Sequence, residues 1–180
     1  DKQKKTEKTY GFLWTRNMDI HPMDIWHFNK MQEVINEPVV RGKIGIDIGC
    51  GCGYDTHIMA KNNPSVRLIG MDISDGVYVT RELNAGLKNV NVIKCSAKDI
   101  PLKNEVFDFA YSFGVLHHTP DPQKCLLEIS RILKKCSPVF MYLYEDHSEN
   151  MLKYTAVKIV GYLRVITARL NPSILYALCY

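Results

Sequence analysis

The segment Gly49-Cys50-Gly51-Cys52-Gly53 contains the residues whose types and spacing point most directly to ligand binding. It follows an apolar run that ends at Ile48 and precedes a helical pattern that begins at Tyr54. Glycines let the backbone approach a ligand closely and adopt positive φ angles. The N-terminus of the following helix adds unpaired N–H groups and a partial positive charge. The segment therefore predicts a binding site for a carboxylate or a phosphate.

An acid, Asp72, ends the next apolar run, nineteen residues after Gly53. A carboxylate in that position can accept hydrogen bonds from both hydroxyls of a ribose, so the two features together predict a ligand that contains adenosine. The dinucleotide pattern G-x-G-x-x-G fails in both registers, because its last position falls on Tyr54 or Thr56 instead of a small residue. An NAD-dependent oxidoreductase is therefore the less favoured alternative.

Apolar runs and helical patterns alternate along the chain, and these elements must position the residues named above. We predict strands over 43–48, 66–71, 90–95, 107–113 and 139–144, and helices over 22–36, 54–61, 75–87, 122–135 and 151–170. This alternation predicts an α/β fold with a doubly wound, mostly parallel sheet and helices on both faces. The carboxyl ends of parallel strands share one edge, which would bring the glycine segment close to Asp72.

The chain divides into three predicted regions. Residues 1–37 form an N-terminal lead with a helix that packs on the sheet or covers the site, residues 38–146 form the ligand-binding α/β core, and residues 147–180 form a helical, apolar and basic tail. Residues 1–9 are a charged lead, of which we expect the polar residues 1–5 to be mobile.

The net charge of +4 and the six cysteines limit the partners and the compartment. The charge excess lies in 151–180, which contains four basic residues and no acid. An excess confined to an apolar tail is not a nucleic-acid footprint, so we expect no nucleic-acid partner. No run of 18 apolar residues occurs, so we predict no membrane span, although the tail could contact a membrane surface or a second copy of the chain. The cysteine spacing fits no metal-ligand set and predicts buried thiols in a reducing, cytoplasmic compartment.

Three segments resemble a known family. Residues 46–53 and 70–74 resemble the first two motifs of class I S-adenosylmethionine-dependent methyltransferases, and residues 112–122 resemble the fourth-strand segment of the UbiE-like (methyltransferase type 11) group. The resemblance covers residues 40–145. It implies a Rossmann-like methyltransferase fold and transfer of a methyl group from S-adenosylmethionine to an unidentified small-molecule acceptor, with S-adenosylhomocysteine as the product.

The resemblance also implies a set of donor-binding residues. They are Asp47, Gly49, Gly51, Gly53, Asp72, Ile73, Ser96, Ala97, Phe113 and Gly114. The glycines would meet the methionine moiety, Asp72 would bind the ribose diol, and Ile73 would pack on the adenine. Ala97 would donate its N–H to the adenine ring, and Phe113 and Gly114 would line the wall near the sulfonium.

This sequence departs from the family pattern at two places. Ser96 stands where the family usually has an aspartate that reaches the adenine amino group, and no pair of strands is evident after Tyr144, where the family sheet ends in an antiparallel hairpin. These departures keep open a non-catalytic, methyltransferase-like binding subunit. Asp47 is equally compatible with bracing the loop and with contacting the ligand.

Two further pairs of residues are candidates for roles at the site. His117 and His118 could act as a base beside the transferred methyl, but capping of the next turn and packing are the favoured interpretation. Tyr10 and Trp14 are predicted to form a lid over the donor, whereas Trp26 is predicted to pack on the sheet.

Overall fold

A computed structural model of the chain describes residues 2–16, 22–145 and 148–167. The five strands are β1 (Ile44–Ile48), β2 (Arg67–Asp72), β3 (Val90–Lys94), β4 (Phe109–Phe113) and β5 (Val139–Tyr142). The α-helices are α1 (Lys2–Trp14), α2 (Pro22–Gln32), α3 (Glu37–Val40), α4 (Tyr54–Asn62), α5 (Gly76–Leu83), α6 (Pro122–Ile132) and α7 (Met151–Thr167). A short 3₁₀ helix spans Leu116–His118.

The strands form one parallel sheet in the order β3-β2-β1-β4-β5. The chain winds outward from β1 in both directions, so the strand order reverses between β1 and β4, where doubly wound sheets bind their ligands. The predicted α/β class and parallel sheet are confirmed. Within the described residues, β5 is an edge of the sheet and no antiparallel hairpin extends it.

Alternate residues of the central strands enter two apolar cores, one on each face of the sheet. Ile46 and Ala110 belong to the core that α6 covers, whereas Phe109 and Tyr111 belong to the core that α2 and α4 cover. Gly45 is required in β1 because the Phe109 ring lies where a Cβ would be, with its Cζ 2.1 Å from that point.

Two predictions about the N-terminal residues were wrong in detail. Residues 2–5, expected to be mobile, belong to α1, which contacts α5. The helix predicted over 22–36 ends at Gln32, and Asn36 instead caps α3 through its side chain. On α6, Leu126 and Leu127 are exposed, because Cys125, Ile129 and Ile132 form the stripe that enters the core.

The chain separates into two compact units, residues 1–143 and 144–180. In the second unit the described residues form α7, in agreement with the helix predicted there. The rest of the predicted tail, residues 168–180 with Arg169 and Cys179, lies outside the described residues. No helix in the described part of the chain is long and apolar enough to cross a membrane.

Candidate functional site

The glycine segment forms a tight turn between β1 and α4. Gly49, Gly51 and Gly53 have φ angles of +83°, +55° and +86°, which side chains other than glycine rarely adopt. The backbone N–H of Gly49 donates to the carbonyl of Met71 at 2.7 Å, so the turn is tied to β2. A Cβ on Gly49 would lie 2.3 Å from Cγ2 of Val115, so the turn also lies against the segment after β4.

Asp72 connects this turn to the segment that follows β2. Its Oδ2 accepts a hydrogen bond from the Gly51 N–H at 3.0 Å, and its Oδ1 accepts one from the Ser74 N–H at 2.7 Å. Each carboxylate oxygen can accept a second hydrogen bond, and the residue is only partly buried. The carboxylate is therefore held rigidly beside the glycine turn with acceptor capacity left for a ligand.

Asp47 lies in β1, two residues before the same turn, and is buried. Its Oδ2 accepts a hydrogen bond from the Thr56 hydroxyl at 2.5 Å, which ties β1 to the first turn of α4. Burial raises the pKa of Asp47 well above its ordinary value, and the nearby Asp55 carboxylate raises it further. The hydrogen bond from Thr56 is compatible with the bracing role, and contact between Asp47 and the ligand stays a prediction.

Ser96 and Ala97 follow β3, next to the end of β2. The Cys95 N–H donates to the Asp72 carbonyl at 3.0 Å, which brings this segment beside Asp72. Oγ of Ser96 accepts the Lys98 N–H at 3.3 Å within a tight turn. Ile73, Ser96 and Ala97 are all partly buried, so each keeps some exposed surface.

Phe113 ends β4, on the other side of β1, and Gly114 directly follows it. Gly114 has a φ of +66° and donates its N–H to the Tyr142 carbonyl at 2.9 Å. The Phe113 ring stacks on the His27 imidazole, with centroids 4.5 Å apart and planes 15° apart. Its side chain therefore faces α2, which the sequence prediction did not anticipate.

Helix α1 lies on the glycine turn. The Trp14 ring comes within 3.0 Å of the point that a Cβ on Gly51 would occupy. The Tyr10 ring lies 6.2 Å from the Trp14 ring and 5.6 Å from the His118 ring, measured between centroids. Tyr10 and Trp14 thus lie at the turn, where we predicted a lid.

His117 and His118 are adjacent in the 3₁₀ helix after β4, with ring centroids 4.0 Å apart. Burial lowers the pKa of His117, which favours its neutral form. Both lie near the carboxyl edge of the sheet, and the His118 ring contacts the Tyr10 ring.

Sequence reasoning missed a cluster on the α2 side of this edge. We define the His27 cluster as Trp26, His27, Asp55, Phe113 and Tyr142, which lie in contact through ring packing and a histidine–carboxylate pair. No sequence motif indicates this cluster, because His27 and Asp55 are 28 residues apart and belong to different helices.

Comparison with known proteins identifies the family. A family described as "Methyltransferase domain" matches residues 40–159, which is more than half of the chain. The chain belongs to this methyltransferase family. The predicted resemblance to class I methyltransferases is thereby confirmed, and the alternative of an NAD-dependent oxidoreductase is not supported.

Relatives and solved structures agree with this assignment. The chain is 37% identical over 95 residues to tRNA (carboxymethyluridine(34)-5-O)-methyltransferase of Saccharomyces cerevisiae, which covers 52% of this chain and 32% of that protein. It is 32% identical over 127 residues to tRNA U34 carboxymethyltransferase of Campylobacter lari, which covers 68% of this chain and 42% of that protein. The fold matches the crystal structure of a SAM-dependent methyltransferase from Aquifex aeolicus with a TM-score of 0.60 at 23% identity, over 69% of this chain and 67% of that one. The chain thus spans less than half the length of the two curated relatives.

The relatives overturn one prediction. We expected a small-molecule acceptor and no nucleic-acid partner, whereas both curated relatives are named as enzymes that act on tRNA. The prediction from charge was wrong because the number of basic residues in a sequence does not indicate whether a protein recognises an unpaired base. Aromatic stacking and base-edge hydrogen bonds do that with little net charge.

Proposed function

We propose that this chain is the donor-binding and catalytic domain of a methyltransferase that uses S-adenosylmethionine and modifies tRNA. The observation that supports the donor most strongly is the fixed position of Asp72 between Gly51 and Ser74. A carboxylate at the end of β2, beside a glycine turn that opens a helix, suits a ribose diol next to an anionic group.

The remaining donor contacts are assigned by their position around Asp72. The backbone of Gly49 and Gly51 would receive the methionine moiety, with Gly53 opening α4. Ile73 and the turn at Ser96 and Ala97 would hold the adenine, and the backbone of Phe113 and Gly114 would lie near the sulfonium. Tyr10 and Trp14 on α1 would cover the donor.

The chain's contribution to the reaction would be positioning and exclusion of water. The bound donor supplies a methyl carbon that its sulfonium already makes electrophilic. Holding the acceptor in line with that carbon accounts for a large part of the rate enhancement in such transfers. Helix α1 suits the exclusion of water, because the Trp14 ring lies against Gly51.

The acceptor class is supported by the relatives and by one feature of the site edge. Both relatives' names specify uridine 34 of tRNA. At the carboxyl edge of the sheet, Trp26 keeps 40% of its surface exposed beside the ring of Tyr142. Exposed aromatic rings next to a transfer site suit stacking on an unpaired base.

The test is transfer of a tritiated methyl group from S-adenosylmethionine to total tRNA by the purified chain. We expect incorporation into tRNA that maps to position 34 and is lost with an Asp72→Asn variant. Labelling of another macromolecule or of small molecules, with tRNA unlabelled, would contradict the acceptor. Donor binding with no transfer to any acceptor would favour the non-catalytic subunit over an enzyme.

A further inference from the structure

Glycines allow helix α1 to pack closely on the glycine turn and on the start of α5. A Cβ on Gly51 would lie 3.0 Å from Cε2 of Trp14, and a Cβ on Gly76 would lie 3.1 Å from the Trp14 Cβ. On α1 itself, a Cβ on Gly11 would lie 3.4 Å from the backbone nitrogen of Asp75. These contacts place α1 directly on the turn to which we assign the donor.

One lysine connects α1 to the two elements beneath it. Lys94 is the last residue of β3, and its Nζ lies 2.7 Å from Oδ1 of Asp75, which precedes α5. The same Nζ lies 3.5 Å from Oε1 of Glu7 on α1. Glu7 and Trp14 are two helical turns apart, so they lie on the same face of α1. We call the contacts of Lys94 with Glu7 and Asp75 the Lys94 bridge.

The Lys94 bridge is attached to the segment that holds the carboxylate assigned to the ribose. The Ser74 N–H donates to Asp72 at 2.7 Å, and the Gly76 N–H donates to Oγ of Ser74 at 3.2 Å. Asp75 lies between these two contacts, and Lys94 is paired with Asp72 in the register of β2 and β3. Both partners beneath α1 are therefore fixed relative to Asp72.

The three charged side chains of the Lys94 bridge are all partly exposed. Lys94 keeps 37% of its side-chain surface exposed, Glu7 keeps 36% and Asp75 keeps 61%. Ion pairs in such positions are weak, and added salt weakens them further. A weak contact suits a helix that must move, because a tightly held α1 would slow the release of the product.

We propose that Lys94 is a positioning residue that holds α1 closed over the bound donor, so that the Lys94 bridge slows the release of S-adenosylhomocysteine. The proposal rests on the proposed function, in which α1 covers the donor. When Glu7 separates from Lys94, α1 moves away from the glycine turn and the product leaves. Asp75 keeps the Lys94 ammonium in place meanwhile, so the contact with Glu7 can form again.

The first test needs neither donor nor acceptor. Hydrogen–deuterium exchange followed by mass spectrometry measures how often the amides of residues 2–16 open in the free chain. We expect Lys94→Met, which keeps the aliphatic stem, to speed their exchange about threefold, the effect of losing an exposed ion pair, and to leave residues 44–48 unchanged. The matched control is Lys30→Met, which removes the exposed pair with Glu33 on the other side of α2 and should leave residues 2–16 unchanged. Equal exchange of residues 2–16 in wild type and Lys94→Met would overturn the proposal even if the chain methylates tRNA.

The second test measures the release of S-adenosylhomocysteine from the full chain. Stopped-flow fluorescence of Trp14, in a Trp26→Phe background and at several ligand concentrations, gives the rate constant of release. Lys94→Met and Glu7→Gln are each expected to raise it about threefold. The double variant should release no faster than either single variant, because both substitutions remove the same contact.

Two further measurements separate the Lys94 bridge from a general loss of stability. Lys94→Arg should release S-adenosylhomocysteine at the wild-type rate, because it keeps the charge, and added salt should speed release from wild type but not from Lys94→Met. Unchanged release from Lys94→Met, or additive effects of Lys94→Met and Glu7→Gln, would overturn the role of Lys94. Absence of S-adenosylhomocysteine binding by the wild-type chain would instead refute the proposed function.

Discussion

Gly49 and Gly42 both adopt left-handed backbone conformations, but their surroundings differ. Their φ angles are +83° and +68°. A Cβ on Gly49 would lie 2.3 Å from Val115, whereas nothing lies within 4 Å of the same point on Gly42. Comparing Gly42 with Gly49 therefore separates the free-energy cost of backbone strain from the cost of a Cβ that collides with a neighbouring side chain.

We predict that Gly42→Ala lowers the free energy of unfolding by about 1 kcal/mol, the cost of a left-handed conformation alone. Gly49→Ala should cost clearly more, because Val115 must also move, and it should weaken donor binding. Urea denaturation of both variants measures the difference. Equal losses of unfolding free energy in Gly42→Ala and Gly49→Ala would show that the contact between Gly49 and Val115 does not constrain the turn.

Helix α1 is the element whose role is easiest to test, because one face of it meets the glycine turn. Trp14 lies against Gly51, whereas the neighbouring Leu13 is exposed. If α1 covers the donor, Trp14→Ala should weaken binding of S-adenosylhomocysteine about fivefold, the equivalent of losing an aromatic contact of about 1 kcal/mol. Calorimetry checks this, with Leu13→Ala as the control. Equal affinities of the two variants for S-adenosylhomocysteine would contradict the proposal that α1 covers the donor.

A second element-scale feature is the attachment of α6 to the loop after β3. Arg131 donates to the carbonyls of Ile100 and Leu102, both at 2.8 Å, and pairs with Glu128. Glu128 also accepts the Ile100 N–H at 3.0 Å. The hydrogen bond from Arg131 lowers the pKa of Glu128 from 4.5 to about 2, so the folded state favours its ionised form.

The sign of the pH effect follows from that lowered pKa. The ionised Glu128 stabilises the fold above pH 4.5, and this contribution is lost as the pH falls towards 2. We predict that Glu128→Gln costs about 1 kcal/mol at neutral pH, and that the difference from wild type disappears in acid. The control is Glu33→Gln, which breaks the exposed pair with Lys30 and should cost almost nothing. If the loss of unfolding free energy in Glu128→Gln did not change with pH, the stabilising role of the ion pair between Glu128 and Arg131 would be contradicted.

At the scale of the whole molecule, the sequence predicted the sheet, the glycine turn and the position of Asp72. Those features depend on local patterns, such as a run of apolar residues ending in glycines or an acid. Helix α1 was missed because its sequence is polar and its contacts with the glycine turn are tertiary. The pair of His27 and Asp55 was missed for a related reason, since only the packing of α2 on α4 brings the two together.

The central claim is that the turn from Gly49 to Gly53 and Asp72 bind S-adenosylmethionine. Calorimetry of S-adenosylhomocysteine with wild type, Asp72→Asn and Asp108→Asn tests it directly. Asp108 is the matched control, because it also accepts a backbone N–H, from Ile44 at 3.0 Å, but at the amino end of β1. We predict that Asp72→Asn weakens binding at least about tenfold, the loss of one hydrogen bond to a charged group, and that Asp108→Asn binds like wild type. Unchanged affinity in Asp72→Asn, or equal losses in both variants, would contradict the account.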